Sequence, residues 1–507
     1  MSENTRKYCR NHKRKAERKN ESIWVMENGK TYPTLTSNME AEVVVIGGGM
    51  TGILTAFQLM EHGMRVVVLE ADRIGQGVTR NTTAKITSQH NLIYRDLIED
   101  YGMEKAREYA MNHQAAVEQY GHIIKTKEID CDYQEEIAYV YSINHPERIA
   151  DEVEAAIQLG LPAFFTKDTA LPFQVAGAEG FEHQASFHPL KFLYGIAENL
   201  EIYEHSRVLR IIDDHELEVE NGMGQICHVH AKNIVVATHY PFVNFPGFYF
   251  TKMHQERSYV VAVKAPEALP YGMYISMGNT GYSFRKYREY VLLGGGNHRT
   301  GQNYEKEHFK AIIQAAKKLY PQGEIVRWWA NQDCIPIDGV PYIGTYAARE
   351  KNIFVATGYN KWGMTSSMVA AMNLNNMILG AEEKEDSIFY PRRFNLQASK
   401  KKLKMNIKVT TKRLTLQKVY KPKTSIKELK PGYGGIVQWN GKKVGAYRTL
   451  KGVVYLVTTK CPHLGCMLEW NQEERSWDCP CHGSRFDYRG RVITGPAQTN
   501  LKNPKKE

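Results

Sequence analysis

The chain has no apolar run approaching the roughly 18 residues that a bilayer-spanning helix needs, which excludes a membrane-embedded body. It has no internal repeat and no long low-complexity tract, which excludes repeat and fibrous architectures. Cysteine is scarce: eight in 507 residues do not make an extracellular scaffold held by disulfides. The first residues are polar and basic, so no secretory leader is expected and the predicted location is cytoplasmic. What is present is 42% hydrophobic residue content over a length too great for one core, which predicts a protein of two bodies.

The net charge of +11 is concentrated in two places. Residues 400–430 hold twelve Lys/Arg against Glu428 alone, and residues 1–19 hold eight against two acids, which leaves the rest of the chain mildly acidic. A solvated basic linker and arm is the favoured reading. Weak contact of the linker with an anionic membrane surface or an acidic partner ranks below it, and nucleic acid is not an expected partner.

Four of the cysteines fall in two short stretches, Cys461-Pro462-His463-Leu464-Gly465-Cys466 and Cys479-Pro480-Cys481-His482-Gly483-Ser484. Each offers a thiolate and an imidazole two or three residues apart, and 15 residues separate His463 from Cys479. Two Cys and two His are the donors that a cluster with one Cys-held and one His-held iron needs, and the neutral imidazoles raise its potential. A zinc site competes for the same donors but has no need of the Cys-Pro-Cys-His-Gly-Ser run. Together with Gly495-Pro496-Ala497, this region resembles a Rieske [2Fe–2S] domain. The resemblance implies Cys461 and Cys479 on one iron, His463 and His482 on the other. Similarity to the cytochrome bc-type branch implies a disulfide between Cys466 and Cys481. Ser484 resembles the hydroxyl that bonds a cluster sulfide, whereas Phe486 stands where the highest-potential members have Tyr, which implies a lower potential. The other cysteines, Cys9, Cys131, Cys227 and Cys334, are scattered and suit a reducing compartment.

At the other end, Val43-Val44-Val45-Ile46 predicts an apolar strand, followed by Gly47-Gly48-Gly49-Met50-Thr51-Gly52 and a helix through Ile53, Phe57, Leu59 and Met60. Val66-Val67-Val68-Leu69 predicts a second strand ending on Glu70. Gly47 serves the tight turn, Gly49 lets the backbone approach a pyrophosphate, and Gly52 lets helix and strand pack closely; Glu70 can accept from a ribose hydroxyl. FAD and NAD both suit this pattern. The segments Glu70–Thr79, Asn233–Thr238, Ile337–Gly344 and Ile353–Tyr359 resemble the D-amino-acid oxidase, glycine oxidase and sarcosine oxidase family, over roughly residues 40–390, which implies FAD. Thr79 is then placed near the pyrophosphate. One departure is Arg80-Asn81-Thr82-Thr83-Ala84-Lys85, a polar version of a loop usually rich in glycine and serine.

In that family a helix points its N-terminus at the flavin, where its dipole and free N–H groups stabilise the anionic reduced ring. The corresponding turn here is Thr357–Ser366, with Gly363, Met364 and Thr365 best positioned and Lys361 adding charge. It contains no Cys or His, which excludes covalent flavin attachment at that turn.

The expected fold class is α/β: a Rossmann-like FAD-binding domain with a β-sheet substrate domain, plus a C-terminal all-β Rieske domain. The expected boundaries are a basic arm at 1–40 pinned by Trp24, an oxidoreductase domain at 41–395, a basic linker at 396–423 and the Rieske domain at 424–507. Helical periodicity marks 146–159, 188–200 and 302–319. Strands are expected at 205–220, 255–264 and 289–296, in the substrate-side sheet.

The resemblance implies oxidation of an amine or amino-acid C–N bond, with electrons leaving reduced FAD singly through the cluster to an external acceptor. A substrate carboxylate would call for Arg285, with Arg257 and Arg299 as secondary candidates; Tyr259 and Trp362 are candidates to line the pocket. The alternative is a redox-sensing or docking protein that turns over no metabolite. A Rieske-type oxygenase needs a further two-His-one-carboxylate iron site, yet only 25 residues follow His482 and none is His. His228 and His230, on one face of a strand, read as a surface pair.

Overall fold

The computed structural model describes residues 21–26, 29–265, 271–278 and 281–505; the arm expected over residues 1–19, with Cys9, lies outside the described residues. Among the described residues no helix is long and apolar enough to cross a membrane.

Met39–Ile46 lies at the centre of an eight-stranded sheet, parallel both to Val66–Leu69 and to Ile226–Val236. Residues 43–46 are buried on both faces of this sheet, a setting that β-branched residues suit best. Val43 and Val45 enter the core shared with the Met50–Glu61 helix, while Val44 and Ile46 enter another shared with Leu217 and Val219. Ile353–Thr357 runs parallel beside Ile226–Val236. The carboxyl ends of these strands therefore share one edge, where open α/β sheets bind ligands.

A second sheet of nine strands includes Glu324–Pro336, Met253–Lys264 and Tyr290–Arg299 in adjacent positions. Along Met253–Lys264, Val260 and Ala262 face the first core, whereas Tyr259, Val261 and Val263 pack against Ile312, Ala316 and Tyr320. The segment expected at 205–220 does not join this sheet. Ser206–Ile211 and Glu216–Asn221 form a hairpin that pairs with Ile226–Val236 and extends the dinucleotide sheet. Alternation identifies a strand without identifying the sheet that receives it. The helix expected at 302–319 begins only at His308, after Asn303 and Glu307 adopt φ of 57° and 44°. The one expected at 188–200 is confined to Pro189–Ile196. Trp24 is fully buried and its Nε1 donates to Thr82 O at 2.7 Å.

The C-terminal body is all β, with a three-stranded sheet from Gly434 to Val457 and a four-stranded sheet from Glu469 to Thr494. The basic connector is not a solvated coil. It forms one helix, Leu396–Val419, capped by Asn395, whose Oδ1 accepts from Ala398 N at 3.1 Å. Lys and Leu are good helix formers, and residues along this helix contact both bodies. Asn406 accepts from Arg299 Nη1 at 2.7 Å, Arg413 pairs with Glu469, and Lys443 Nζ reaches Gln417 O at 2.6 Å.

In place of bodies joined only by a solvated linker, the two meet at a fixed interface. Arg299 donates to Pro480 O at 2.8 Å and to Cys481 O at 3.0 Å. Gln255 donates to His482 O at 2.7 Å and Gln332 to Gly483 O at 2.9 Å. Four consecutive carbonyls of one loop are thus held by three buried side chains. A Cβ on Gly301 would lie 2.7 Å from Pro480 N, and one on Gly483 2.6 Å from Gln255 Cβ, so the surfaces meet with no room for side chains there. Glu473 accepts from Phe309 N at 3.0 Å at the start of the His308–Leu319 helix, an acid placed where the helix dipole favours it.

Glu474 pairs with Arg257 across this interface and with Arg485 within its own body. Burial alone would raise its pKa, but Arg257 and then Arg485 hold it down to about 2. Replacing Glu474 with Ala leaves two buried guanidinium groups short of a partner and should cost about 3–5 kcal/mol in chemical denaturation. Because the folded-state pKa lies below the unfolded value of about 4.3, this stabilisation is present above that value. It should fade as pH falls toward about 2 in the parent and be missing from the variant.

Candidate functional site

Gly47 turns the chain off its strand at φ 111°, and a Cβ there would lie 2.6 Å from Ala237 O. A Cβ on Gly52 would lie 1.9 Å from Gly47 O. Gly49 is different: its Cβ would meet only Thr79 Oγ1, at 3.6 Å, so the missing side chain leaves open space above the helix N-terminus. Met50 N donates to Thr79 Oγ1 at 3.0 Å. Glu70 accepts from Gly48 N at 2.7 Å and from Asp72 N at 2.8 Å, and burial raises its pKa against these two bonds. Gly47, Gly49, Glu70 and Thr79 line a cavity of about 470 Å³ that extends past Thr238, His239 and Tyr240 to Gly363 and Met364. An open glycine turn, a helix N-terminus and an acid on the next strand suit a dinucleotide pyrophosphate and ribose.

A second cavity of about 480 Å³ meets the first at Gly363 and Met364. Trp362, at the N-cap of the Gly363–Ile378 helix, lines it and stacks on His90 with centroids 4.7 Å apart. Lys361 Nζ pairs with Glu256 at 2.8 Å, so its charge is already matched. Asp333 also lines this space; burial pushes its carboxyl up to about 6, with Lys361 opposing. Thr365 turns its hydroxyl into the core, donating to Thr87 O at 3.0 Å.

Of the other expected substrate residues, Arg285 lies elsewhere and Tyr259 only borders this cavity. Arg285 is 1% exposed and donates to the carbonyls of Thr83, Ala84 and Phe187, with its guanidinium 5.3 Å from the Trp24 ring. It braces the polar loop and the N-terminal segment instead of meeting a carboxylate. Tyr259 borders the cavity, but its ring stacks on His298 and His308 and its hydroxyl meets His298 Nε2 at 3.0 Å, on the face beneath the His308–Leu319 helix. The strand is as expected; the parity of one residue puts the ring on its far side. Arg257 and Arg299 are committed to the interface between the bodies.

In the C-terminal body Cys466 and Cys481 form a disulfide, and Cys461 and Cys479 are buried free thiols. The Cys461 and Cys479 sulfurs are close enough to share a hydrogen bond. The rings of His463 and His482 lie 4.9 Å apart at 89°, and the Nδ1 atom of each is buried with no partner among the described residues. Burial pushes the two imidazoles down to about 4 and about 3, so both are neutral near pH 7. Two thiols and two orphaned imidazole nitrogens in one buried pocket match the donor set of a Rieske cluster. Ser484 Oγ accepts from Ala497 N at 3.1 Å, and Phe486 is fully buried.

The FAD dependent oxidoreductase family model matches residues 42–377, and that of the Rieske [2Fe-2S] domain matches residues 420–505. The chain belongs to the FAD dependent oxidoreductase family and carries a Rieske [2Fe-2S] domain. YhfW of Bacillus subtilis (strain 168), described as a Rieske 2Fe-2S iron-sulfur protein, is 37% identical over 93% of this chain and 95% of its own length. The gamma-glutamylputrescine oxidoreductase of Escherichia coli (strain K12) is 24% identical over 70% of this chain and 88% of its own. The structure of an L-amino acid deaminase from Proteus vulgaris shares the fold of the larger body, with a TM-score of 0.58 at 18% identity, covering 73% of this chain and 99% of that one.

FAD and a [2Fe–2S] cluster are therefore the cofactors of this oxidoreductase. The residues around the cluster that sequence reasoning missed, Gln255, Gln332 and Asn244, come from the flavin body. The one signal was the run Pro241-Phe242-Val243-Asn244-Phe245-Pro246-Gly247-Phe248-Tyr249-Phe250, too aromatic for a plain surface loop.

The glycines make a test of the FAD cradle. Gly49→Val adds bulk only to the open space and should strip most of the flavin while leaving the apoprotein melting temperature nearly unchanged. Gly52→Ala drives a methyl into a carbonyl and should cost about 1–3 kcal/mol of stability or more, besides the flavin. Flavin absorbance per chain and thermal unfolding of apoprotein separate the two outcomes.

Proposed function

We propose that this protein dehydrogenates the C–N bond of an amine, within the wider class of amines and amino acids. The electrons then leave one at a time through the Rieske cluster to an external acceptor. Bound FAD supplies hydride acceptance, and the cluster supplies one-electron transfer.

One observation carries the coupling. Thr494, Gly495, Ala497 and Gln498 of the Rieske body line the same cavity as Gly49, Glu70 and Thr79. A Cβ on Gly495 would lie 2.6 Å from Ser484 Cα, so a single loop touches both the dinucleotide space and the cluster-side serine. This arrangement supports direct transfer within one chain.

The preference for an amine rests on what lines the other cavity. Among its described lining residues none is arginine, while Asp333 is present and Glu256 is already paired with Lys361. A carboxylate substrate would lack a bidentate clamp; an ammonium group would find counter-charge. The Escherichia coli relative named for gamma-glutamylputrescine points the same way. Hydride loss requires the neutral amine, and the Asp333 carboxylate, raised to about 6, is suited to take up the ammonium proton. The buried free thiols of Cys131, Cys227 and Cys334 support a reducing, cytoplasmic setting.

Anaerobic mixing with a panel of amines and amino acids should bleach the flavin, with the cluster reduced in the same molecule at a rate independent of protein concentration. Asp333→Asn should raise KM for the amine about tenfold to a hundredfold, the value of a hydrogen bond to a charged group, with flavin content intact. Bleaching without cluster reduction would remove the cluster from the path and favour a redox-sensing role.

A further inference from the structure

The imidazole of His463 does not end in solvent. Its outer nitrogen, Nε2, lies 2.7 Å from Asn244 Oδ1, and Asn244 belongs to the flavin body, between the Ile226–Val236 strand and the Tyr249–Lys252 helix. The inner nitrogen, Nδ1, is buried and has no hydrogen-bond partner among the described residues. An imidazole whose Nδ1 lone pair goes to a metal carries its proton on Nε2. The contact then has one polarity: Nε2–H donates and the carboxamide oxygen accepts. Phe250 packs edge-on against both His463 and His482, at 6.1 and 5.8 Å, so the same segment closes over the two rings.

An acceptor on the outer N–H of a ligating imidazole fixes the ring and makes it a stronger donor. A stronger donor favours the oxidised, more positive state of the metal centre and lowers its potential. We propose that Asn244 is a positioning residue which the flavin body contributes to the cluster, orienting His463 and lowering the cluster potential. The proposal rests on His463 being an iron ligand. It makes the potential of the cluster a property of the assembled chain, set partly from outside the Rieske fold.

Redox titration of the full-length holoprotein, followed by the paramagnetic resonance of the reduced cluster, tests this with two near-isosteric variants. Asn244→Leu removes the acceptor and should shift the midpoint upward. Asn244→Asp offers a stronger acceptor and should shift it downward, with flavin content unchanged in both. The hyperfine coupling of the remote His463 nitrogen should change in the Leu variant. Shifts of the same sign, or none, would overturn the proposal, because a merely structural asparagine has no reason to give opposite signs. If the Leu variant loses its cluster, the sign of the Asp shift decides alone. A parent protein without a Rieske-type signal would sink the ligand assignment itself, a failure distinct from that of Asn244.

Discussion

The arrangement of this molecule depends on the capture of one loop. The backbone carbonyls of Pro480, Cys481, His482 and Gly483 point out of the Rieske body and accept from Arg299, Gln255 and Gln332, all buried in the flavin body. Buried donors of this kind are costly to leave unpaired, and two of them are held on the strands that line the second cavity. The two bodies are therefore not independent modules joined by a string. Arg299, which reaches the loop, also reaches Asn406 of the connecting helix, so one side chain ties flavin body, connector and cluster loop together.

Fixed docking changes what the connector is for. A flexible linker would set an effective concentration for repeated encounters; a packed helix holds one distance. With Gly495 touching both the dinucleotide cavity and Ser484, the proposed route from flavin to cluster would need no moving carrier. Rigidity is also what allows a residue of one body to act on the cofactor of the other. A contact such as Asn244 to His463 needs the two surfaces to hold their register to within a fraction of an ångström.

What could be read from the sequence was local, and what could not was distant. The glycine turn, its flanking strands and the paired Cys-Pro stretches each lie within a few dozen residues and carry their own geometry. Arg285, Arg257 and Arg299 are equally arginine in the sequence; only their partners distinguish them, and those lie more than 90 residues away. Tyr259 shows a finer limit. A strand through it is plain, but whether its ring faces the cavity or the helix at 308–319 depends on a parity that bulges can alter, and a bulge lies between Arg257 and Tyr259. The basic run at 400–430 misleads because charge density describes a surface, while a helix carrying it can still bury Ser399 and Asn406 along a narrow stripe.

Two features of the cluster's surroundings then act in one direction. Within the Rieske fold, Phe486 is fully buried, and by the resemblance it offers no hydroxyl where the highest-potential members of that family would have one. From outside it, Asn244 accepts from the outer nitrogen of His463. A donor withheld near the sulfur and an acceptor supplied at the imidazole both leave more electron density on the iron and lower the potential. A cluster that served only as a strong oxidant for a distant partner would gain from neither. A cluster that must take electrons from a flavin and still pass them on is better served by a modest downhill step, which wastes less driving force at the first transfer. On this argument, and on the proposed route, the flavin body would do more than deliver electrons: by closing over the histidines it would help set the potential at which they are received.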